Sequence, residues 1–354
     1  MDAPAALSFI AFEDIAGWPG DHHRAAFEAF RRSAFRALEK PYRTGSFGIS
    51  HEDFAPAFAA ARANDRVDCR DFFARHFIPA RIATTGFVTG FYEPIIAASP
   101  VRTASFQFPI LSQPGDLADI DDVNRPAGWD ETVVFGRKTD QGFQPYFDRG
   151  EIERGALQGR GLELAWVADK VDLFFIHVQG AARLRMTDGT ERRVTYAAKT
   201  GHPFTAPGRI LAENGEIPRE NVTMQSIRAW LKANPRRIDE ILWQNRSFIF
   251  FRDAPVADPA LGPVAAAKVP LTAGRSLAVD RLLHSFGTPF FIDVPDMDFA
   301  RLMIAQDTGS AIVGPARGDI FCGSGDAAGE VAGVIKHAAT FTMLVPRTAA
   351  ERMR

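Results

Sequence analysis

The 354-residue sequence is poor in cysteine, in net charge and in long apolar runs. Cys69 and Cys322 are its only cysteines, too few for a disulfide framework or a zinc cluster. They could pair in an oxidising compartment, but the sequence alone does not place them together. A formal net charge of −2 gives no electrostatic reason to expect binding to nucleic acid or to an anionic membrane surface. An uncharged or modestly charged substrate is therefore the simpler expectation.

Membrane and export signals are also missing from the printed sequence. No apolar run approaches the roughly 20 residues of a membrane span. The first residues, MDAPAALSFIAFEDIAG, carry an acid at position 2, no basic region and no cysteine to lipidate. This stretch does not predict a signal peptide, so either the protein is cytosolic or its export signal was removed or lies upstream.

The order of periodic segments suggests two domains, one inserted into the other. Phe27, Phe30, Ala34 and Leu38 recur at helical spacing within 21–39, and 51–64 and 68–80 look helical as well. Short β-type runs begin at about 84. Helical character returns over 223–244, where Pro235 marks a break, and more β runs and a short helix at 326–337 follow. The two outer segments would then join to form one domain around the inserted one.

Two motifs in the C-terminal part suggest functions that their context excludes. The triplet DTG at 307–309 is an aspartic protease signature, but such a site needs two carboxylates, and the chain has one DTG. The stretch FCGSGDAAG at 321–329 resembles a dinucleotide-binding turn, but its spacing is GxGxxxG and no βαβ unit follows. We interpret it as a helix entry and expect no cofactor.

No metal site is predicted either. His22 and His23 are adjacent near the start of the first helix, without the HExxH or similar spacing that supports ligation. We interpret them as a solvated helix start.

Polar residues are unusually dense within the β segments. They supply amide, aromatic, hydroxyl and glycine-lined surfaces, a combination that suits sugars without requiring strong charge. We read Gln179 and Gly180 as the end of an apolar strand. The stretches are TGFVTGFYEP (85–94), FFIHVQGAARL (174–184), YAAKTGHPF (196–204), PLTAGRSLAVDRLLHSFGTPFFID (270–293) and IAQDTGSAIVGPARGDIF (304–321).

These stretches resemble, in order, the motifs of the lytic murein transglycosylase A family, over residues 85–337. The resemblance implies a mainly β fold with flanking helices. A six-stranded double-psi β-barrel would be built from 1–99 and 243–354, and a smaller β-domain, 100–242, would be inserted into it, with a glycan groove between them. The chain departs from the family pattern at Cys322, where an aromatic residue is expected, and at Ala181–Ala182, where Ser–Gly is more usual. It also lacks the lipoprotein cysteine of many members, so attachment to the outer membrane is left open.

The resemblance implies a periplasmic enzyme that cleaves the β-1,4 bond between N-acetylmuramic acid and N-acetylglucosamine in peptidoglycan glycan strands and leaves a 1,6-anhydro product. The C6 hydroxyl of the substrate would be the nucleophile, so one carboxyl can act first as acid and then as base. A monomer without cofactor or metal is expected, with other cell-wall enzymes as further candidate partners. The alternatives are a non-catalytic peptidoglycan-binding module and a hydrolytic muramidase.

The resemblance also maps three acids onto this sequence. Asp307 is the predicted acid/base, and its pKa would be raised by the apolar RLMIA before it and by a nearby negative Asp319. Asp319 is a supporting group, and Asp280 is supporting or structural. The predicted substrate-binding residues are Thr89, Tyr92, Glu93, Gln179, Gly180 and Lys199.

Overall fold

The computed structural model describes residues 6–130 and 133–354, and the fold is mainly β with helices. The chain divides into two compact units. One combines the chain up to Tyr92 with Asp258–Arg354, and the other is Glu93–Ala257.

The helices, in chain order, are α1 (His23–Glu39), α2 (His51–Ala63), α3 (Cys69–His76), α4 (Arg149–Glu151), α5 (Lys170–Gln179), α6 (Pro207–Glu213), α7 (Met224–Ala233), α8 (Ile238–Leu242), α9 (Asp326–Ala332) and α10 (Arg347–Met353). The strands are β1 (Leu7–Phe9), β2 (Phe77–Ile82), β3 (Gly86–Glu93), β4 (Ile95–Ser99), β5 (Phe108–Leu111), β6 (Leu117–Asp119), β7 (Phe135–Thr139), β8 (Gly142–Gln144), β9 (Glu163–Val167), β10 (Ala181–Met186), β11 (Glu191–Lys199), β12 (Ile249–Ala254), β13 (Ser276–Val279), β14 (Pro289–Val294), β15 (Phe299–Asp307), β16 (Arg317–Ser324) and β17 (Lys336–Pro346).

The first unit contains an eight-stranded sheet in the order β1-β2-β17-β14-β15-β13-β16-β3. An additional pairing between β17 and β3 closes six of these strands into a hydrogen-bonded ring. Its core continues into α1–α3, where the ring of Phe30 packs against those of Phe58 at 5.2 Å and Phe77 at 5.7 Å. Burial of these phenylalanines fixes the helices against the sheet because each large aromatic side chain removes much apolar surface from water.

The predicted apolar face of α1 is confirmed at Phe27, Phe30 and Ala34, which are fully buried, but Leu38 is 64% exposed. The interpretation of His23 as solvated is wrong. His23 is buried with its ring 4.3 Å from that of Trp18, and burial lowers its pKa, whereas His22 is exposed.

The prediction of helix over 68–80 is wrong after His76. Asp68 caps α3 by accepting a hydrogen bond from Asp71 N at 3.0 Å, and the helix ends before β2. Residues 77–81 pair antiparallel with β17, with Phe77 opposite Pro346. Pairing with a strand more than 250 residues away overrides the local pattern.

The reading of Gln179 and Gly180 as the end of a strand is also wrong. Asp169 caps α5 by accepting hydrogen bonds from Val171 N at 2.6 Å and Asp172 N at 3.1 Å, and Gly180 ends the helix with φ 74°. Glycine adopts this left-handed conformation without steric cost. The helix is buried on most sides, so its sequence shows no polar face to reveal a helical period.

The second unit contains a six-stranded sheet in the order β12-β11-β10-β4-β9-β5 and a three-stranded sheet in the order β6-β7-β8. Apolar side chains of α5–α8 form a separate core cluster, which includes Phe174, Leu211, Leu231 and Leu242. The helical prediction for 223–244 is confirmed, with a 3₁₀ turn at Pro235–Arg237 between α7 and α8.

Both cysteine thiols are free. Cys69 is buried, and burial raises the pKa of Cys322 to about 12, which keeps that thiol protonated. Within 6–130 and 133–354, no helix has the length and apolar character needed to cross a membrane.

Candidate active site

Two of the predicted acids lie opposite one residue of the ring. Ala278 of β13 is the register partner of Asp307 on parallel β15 and of Asp319 on antiparallel β16. Paired residues on neighbouring strands point to the same face, and neighbouring strands lie about 4.8 Å apart. The sheet register therefore brings Asp307 and Asp319 to one face, although they are separated by a loop in sequence.

Asp307 ends β15, and its surroundings favour the neutral acid. Burial raises its pKa to about 6, and the negative charge of Asp319 adds to this effect. Backbone amides of Thr308 and Ala266 and the charge of Lys268 act in the opposite direction, with Ala266 N donating to Oδ1 at 3.2 Å. A carboxyl with this pKa can exchange a proton near neutral pH.

Asp319 is half-buried in a polar cluster. The Thr89 hydroxyl donates a hydrogen bond to Asp319 Oδ1 at 2.5 Å, and Arg317 Nη2 donates to Thr89 Oγ1 at 2.8 Å. Burial raises the pKa of Asp319, although the Thr89 hydrogen bond and the Arg317 charge oppose this rise. The structure thus places Thr89 beside one of the two acids.

The third acid, Asp280, is bound by backbone amides. Its Oδ1 accepts a hydrogen bond from Leu282 N at 3.0 Å, and its Oδ2 accepts one from Gly314 N at 2.9 Å. His284 holds the residue after Gly314, because its Nε2 donates a hydrogen bond to Pro315 O at 2.8 Å. Burial lowers the pKa of His284 to about 4, so the ring is neutral near pH 7. Both side chains hold the loop that joins Asp307 to Asp319.

Gln306 lies beside Asp307 and was not singled out from the sequence. It is fully buried, and its Nε2 donates to Ala29 O at 2.7 Å and to Ser33 Oγ at 2.9 Å. Its Oε1 accepts a hydrogen bond from Ser276 at 2.6 Å. The sequence did carry a signal for this role: an amide side chain stands next to the acid in an otherwise apolar strand. A polar group buried in such a strand must be hydrogen bonded.

The segment 262–271 was also missed. It forms a hairpin in which Gly262 N donates to Leu271 O at 2.9 Å and Ala265 N donates to Val269 O at 3.1 Å. Its tip touches β15 twice, through Ala266 N to the Asp307 carboxylate and through Ala267 N to Gln306 O at 3.0 Å. Because these contacts depend on a tertiary fold, only the alanine-rich sequence AAAK was visible beforehand.

The remaining predicted binding residues lie in different surroundings. Tyr92 is buried, and a Cβ placed at Gly329 would lie 2.8 Å from its ring. Glu93 is fully buried and ion-paired with Arg183 at 3.2 Å and Arg193 at 2.5 Å, which favours a structural role over the predicted glycan contact. The structure places the other three in the second unit, at the end of α5 and of β11: Gln179, Gly180 and Lys199.

Among the described residues, no group of three or more His, Cys, Asp or Glu side chains could hold a metal ion. The carboxyl groups of Asp307 and Asp319 are of a type that can transfer protons.

The fold and site define a class of protein: a mainly β protein in which two half-buried aspartates face the same way from a closed ring of strands. Two family matches agree with it. Residues 87–252 match the MltA specific insert domain, and residues 275–345 match the 3D domain.

Known proteins identify the family. The fold is similar to the crystal structure of a membrane-bound lytic murein transglycosylase from Agrobacterium tumefaciens, with 48% identity, a TM-score of 0.93, and coverage of 99% of this chain and 100% of that one. It is also similar to E. coli MltA with bound chitohexaose, with 25% identity, a TM-score of 0.71, and coverage of 96% and 94%. Membrane-bound lytic murein transglycosylase A of E. coli K12 is 33% identical over 260 residues, which are 70% of this chain and 62% of that protein.

The chain belongs to the MltA family of lytic murein transglycosylases. The family resemblance inferred from the sequence is therefore confirmed. The matched region spans 62% of the length of the curated E. coli relative.

Proposed function

We propose that the protein is a peptidoglycan lytic transglycosylase. It cleaves the β-1,4 bond between N-acetylmuramic acid and N-acetylglucosamine and leaves a 1,6-anhydromuramic end. The observation that carries this proposal is the placement of Asp307 and Asp319, both with raised pKa, opposite Ala278 on one face of the ring. The names of the relatives and the chitohexaose complex of E. coli MltA support the substrate class.

The reaction needs one proton to be transferred twice. A protonated aspartate donates to the glycosidic oxygen as the bond from C1 to that oxygen breaks. The resulting carboxylate then accepts the proton of the C6 hydroxyl as C6–O bonds to C1. The attacking hydroxyl belongs to the same sugar, so no second carboxylate is needed to activate water. A half-buried acid with a pKa of about 6 suits both steps.

Asp307 is the proposed proton carrier because its pKa of about 6 leaves a usable fraction protonated near neutral pH. In this assignment Asp319 supports Asp307, because the negative charge of Asp319 raises the pKa of Asp307. The hydrogen bonds instead favour the opposite assignment, in which Asp319 carries the proton and Asp307 supports it. Asp307 accepts from Ala266 N, which can only donate, whereas Asp319 is bound by the Thr89 hydroxyl, which can donate or accept and so suits both protonation states. The two assignments predict different pH profiles.

The other predicted features follow from the same proposal. The six-stranded ring would be the double-psi β-barrel, and residues 100–242 would lie within the inserted β-domain. Asp280 would be structural, since both of its carboxylate oxygens accept hydrogen bonds from backbone amides. Thr89, Tyr92, Gln179, Gly180 and Lys199 remain proposed glycan contacts. The periplasm, where murein lies, is the proposed site of action.

The test is the incubation of purified sacculi with the wild type and with Asp307→Asn, Asp319→Asn and the exposed control Asp296→Asn, followed by mass spectrometry of the released muropeptides. The wild type and the control should release products lighter by one water than hydrolytic ones. The variant of the proton carrier should release none, and the variant of the supporting acid should keep reduced activity.

Two outcomes would contradict the proposal. Release of reducing-end products by the wild type would identify a hydrolytic muramidase. Binding to sacculi without any product, unaffected by either active-site variant, would identify a non-catalytic binding module.

A further inference from the structure

Lys268 occupies an unusual backbone position beside Asp307. Lys268 N donates to Ala265 O at 2.9 Å, so residues 266–268 form the three-residue turn of the hairpin. Its φ is +61°, in the left-handed region, and Asp298 is the other non-glycine residue with positive φ in the part of the chain that the structure describes. Glycine or asparagine is favoured at the third residue of such a turn, because the Cβ of other residues lies too close to the following carbonyl oxygen. Lysine is therefore an unusual residue at this position.

The turn is held firmly against the acid. Ala266 N donates to Asp307 Oδ1 at 3.2 Å, Ala267 N donates to Gln306 O at 3.0 Å, and the Tyr42 hydroxyl donates to Ala267 O at 3.0 Å. Lys268 follows these anchored residues directly, and its side chain is exposed. The Lys268 side chain is therefore exposed to solvent on the turn whose backbone contacts Asp307.

The two cationic residues near the acids, Arg317 and Lys268, differ in their interactions. Arg317 donates hydrogen bonds to Gly318 O and Thr89 Oγ1, so its guanidinium is part of the hydrogen-bonded cluster around Asp319. Over residues 6–130 and 133–354, no carboxylate forms an ion pair with Lys268. Its charge does reach Asp307, whose pKa it lowers, and Asp319 is the other charged group that acts on that acid. An exposed ammonium without an ion-pair partner among the described residues, on a turn that contacts the proposed acid, suits an anionic part of the substrate.

We propose that Lys268 is a specificity-determining residue that binds a carboxylate of the muramic acid substituent next to the bond to be cleaved. This inference rests on the proposed function. The carboxylate has two chemical sources. It belongs either to the lactyl group, when no peptide is attached, or to the stem peptide. In both cases the ion pair favours muramic acid-containing strands over uncharged N-acetylglucosamine oligomers.

The experiment compares the wild type with Lys268→Gly and Lys268→Arg. Three substrates are used: glycan strands with stem peptides, strands stripped of peptides so that lactyl carboxylates are free, and uncharged chitohexaose. Formation of anhydro ends gives kcat/KM for the strands, and calorimetry gives Kd for all three. Lys268→Gly should lower kcat/KM about tenfold on at least one charged substrate, as expected for loss of a charged hydrogen bond. Its Kd for chitohexaose should stay unchanged, and Lys268→Arg should retain most of the activity.

The substrate that loses affinity identifies the source. Loss confined to stripped strands assigns the lactyl carboxylate, and loss confined to peptide-bearing strands assigns the stem. Lys268→Gly should melt at or above the wild-type temperature because glycine relieves the left-handed strain. An equal change on charged and uncharged substrates, or no change on any, would overturn the inference. If the wild type forms no anhydro ends, the proposed function fails, while the Kd comparison still decides the role of Lys268.

Discussion

The Thr89 hydroxyl donates a hydrogen bond of 2.5 Å to Asp319, and the same oxygen accepts one from Arg317. The Thr89 hydroxyl, which can rotate, thus connects the half-buried Asp319 to the Arg317 guanidinium. This contact joins β3, from the N-terminal part of the chain, to β16, from the C-terminal part.

Thr89→Val should reduce kcat about tenfold, because it removes the donor to Asp319 and leaves Arg317 Nη2 without its acceptor. The Thr89 hydrogen bond lowers the pKa of Asp319. Its loss should therefore move the pH profile upward if Asp319 carries the proton. Thr89→Ser keeps the hydroxyl and is the control. An unchanged profile in Thr89→Val would assign proton transfer to Asp307.

Asp307→Asn should stabilise the protein at pH 8 by roughly 1–3 kcal/mol, since a pKa raised from 3.8 to about 6 means that the charged carboxylate is unfavourable in the folded state. The folded state holds this proton more tightly than the unfolded state. The wild type therefore loses stability as the pH rises from 3.8, the pKa in the unfolded state, to about 6, the pKa in the folded state. Above this range the full loss of stability is present. At pH 4 the difference between variant and wild type should be small. Urea denaturation at both pH values measures it, and a variant equally stable relative to wild type at both would contradict the raised pKa.

The activity of the wild type should also depend on pH in a defined direction. If Asp307 must start protonated, kcat/KM falls as the pH rises above about 6, the pKa of this residue. Rates on soluble glycan strands between pH 4.5 and 8.5 test this, with Asp296→Asn as the control. A flat profile through pH 6 would exclude Asp307 as the acid in the free enzyme.

Gln306→Met should destabilise the protein by roughly 2–4 kcal/mol, because it leaves the buried polar groups that now bind the amide without partners. These groups are Ala29 O, Ser33 Oγ and Ser276 Oγ. Chemical denaturation measures the change, and the exposed Gln244→Met is the matched control. A Gln306→Met protein as stable as the control would show that the amide does not hold α1 against β15.

Glu93→Gln should destabilise the protein by about 3–5 kcal/mol, because two buried arginines would lose their shared carboxylate. The exposed Glu191→Gln should have little effect. If Glu93 instead served mainly as a glycan contact, the variant would bind chitohexaose more weakly while its unfolding transition stayed in place. Denaturation and calorimetry on the same samples separate the two roles.

Local patterns predicted much of the fold. The spacing of Phe27, Phe30 and Ala34 identified α1, and the β runs of the C-terminal part, such as 289–294, are strands. Prediction failed where tertiary contacts outweigh the local pattern. Burial hid the period of α5, and pairing with β17 drew residues 77–81 into a strand.

The site was predictable in its residue types and less so in its geometry. The motifs containing Asp307 and Asp319 identified both acids and the family. The spacing of twelve residues does not reveal that both face Ala278, because that depends on the register of β13 with two different strands. The contribution of Lys268 depends on a hairpin whose sequence carries no recognisable motif.

The sequence by itself determined the family, the identity of the candidate acids and most helices and strands, because motifs and periodicity are local properties of the chain. Only the tertiary structure decided that Asp280 is bound by amides, that Glu93 is buried between arginines, and that Asp307 and Asp319 lie opposite the same residue of β13. Burial, hydrogen bonding and strand register depend on which distant segments surround a group, and desolvation and hydrogen bonds shift its pKa by destabilising or stabilising its charged form.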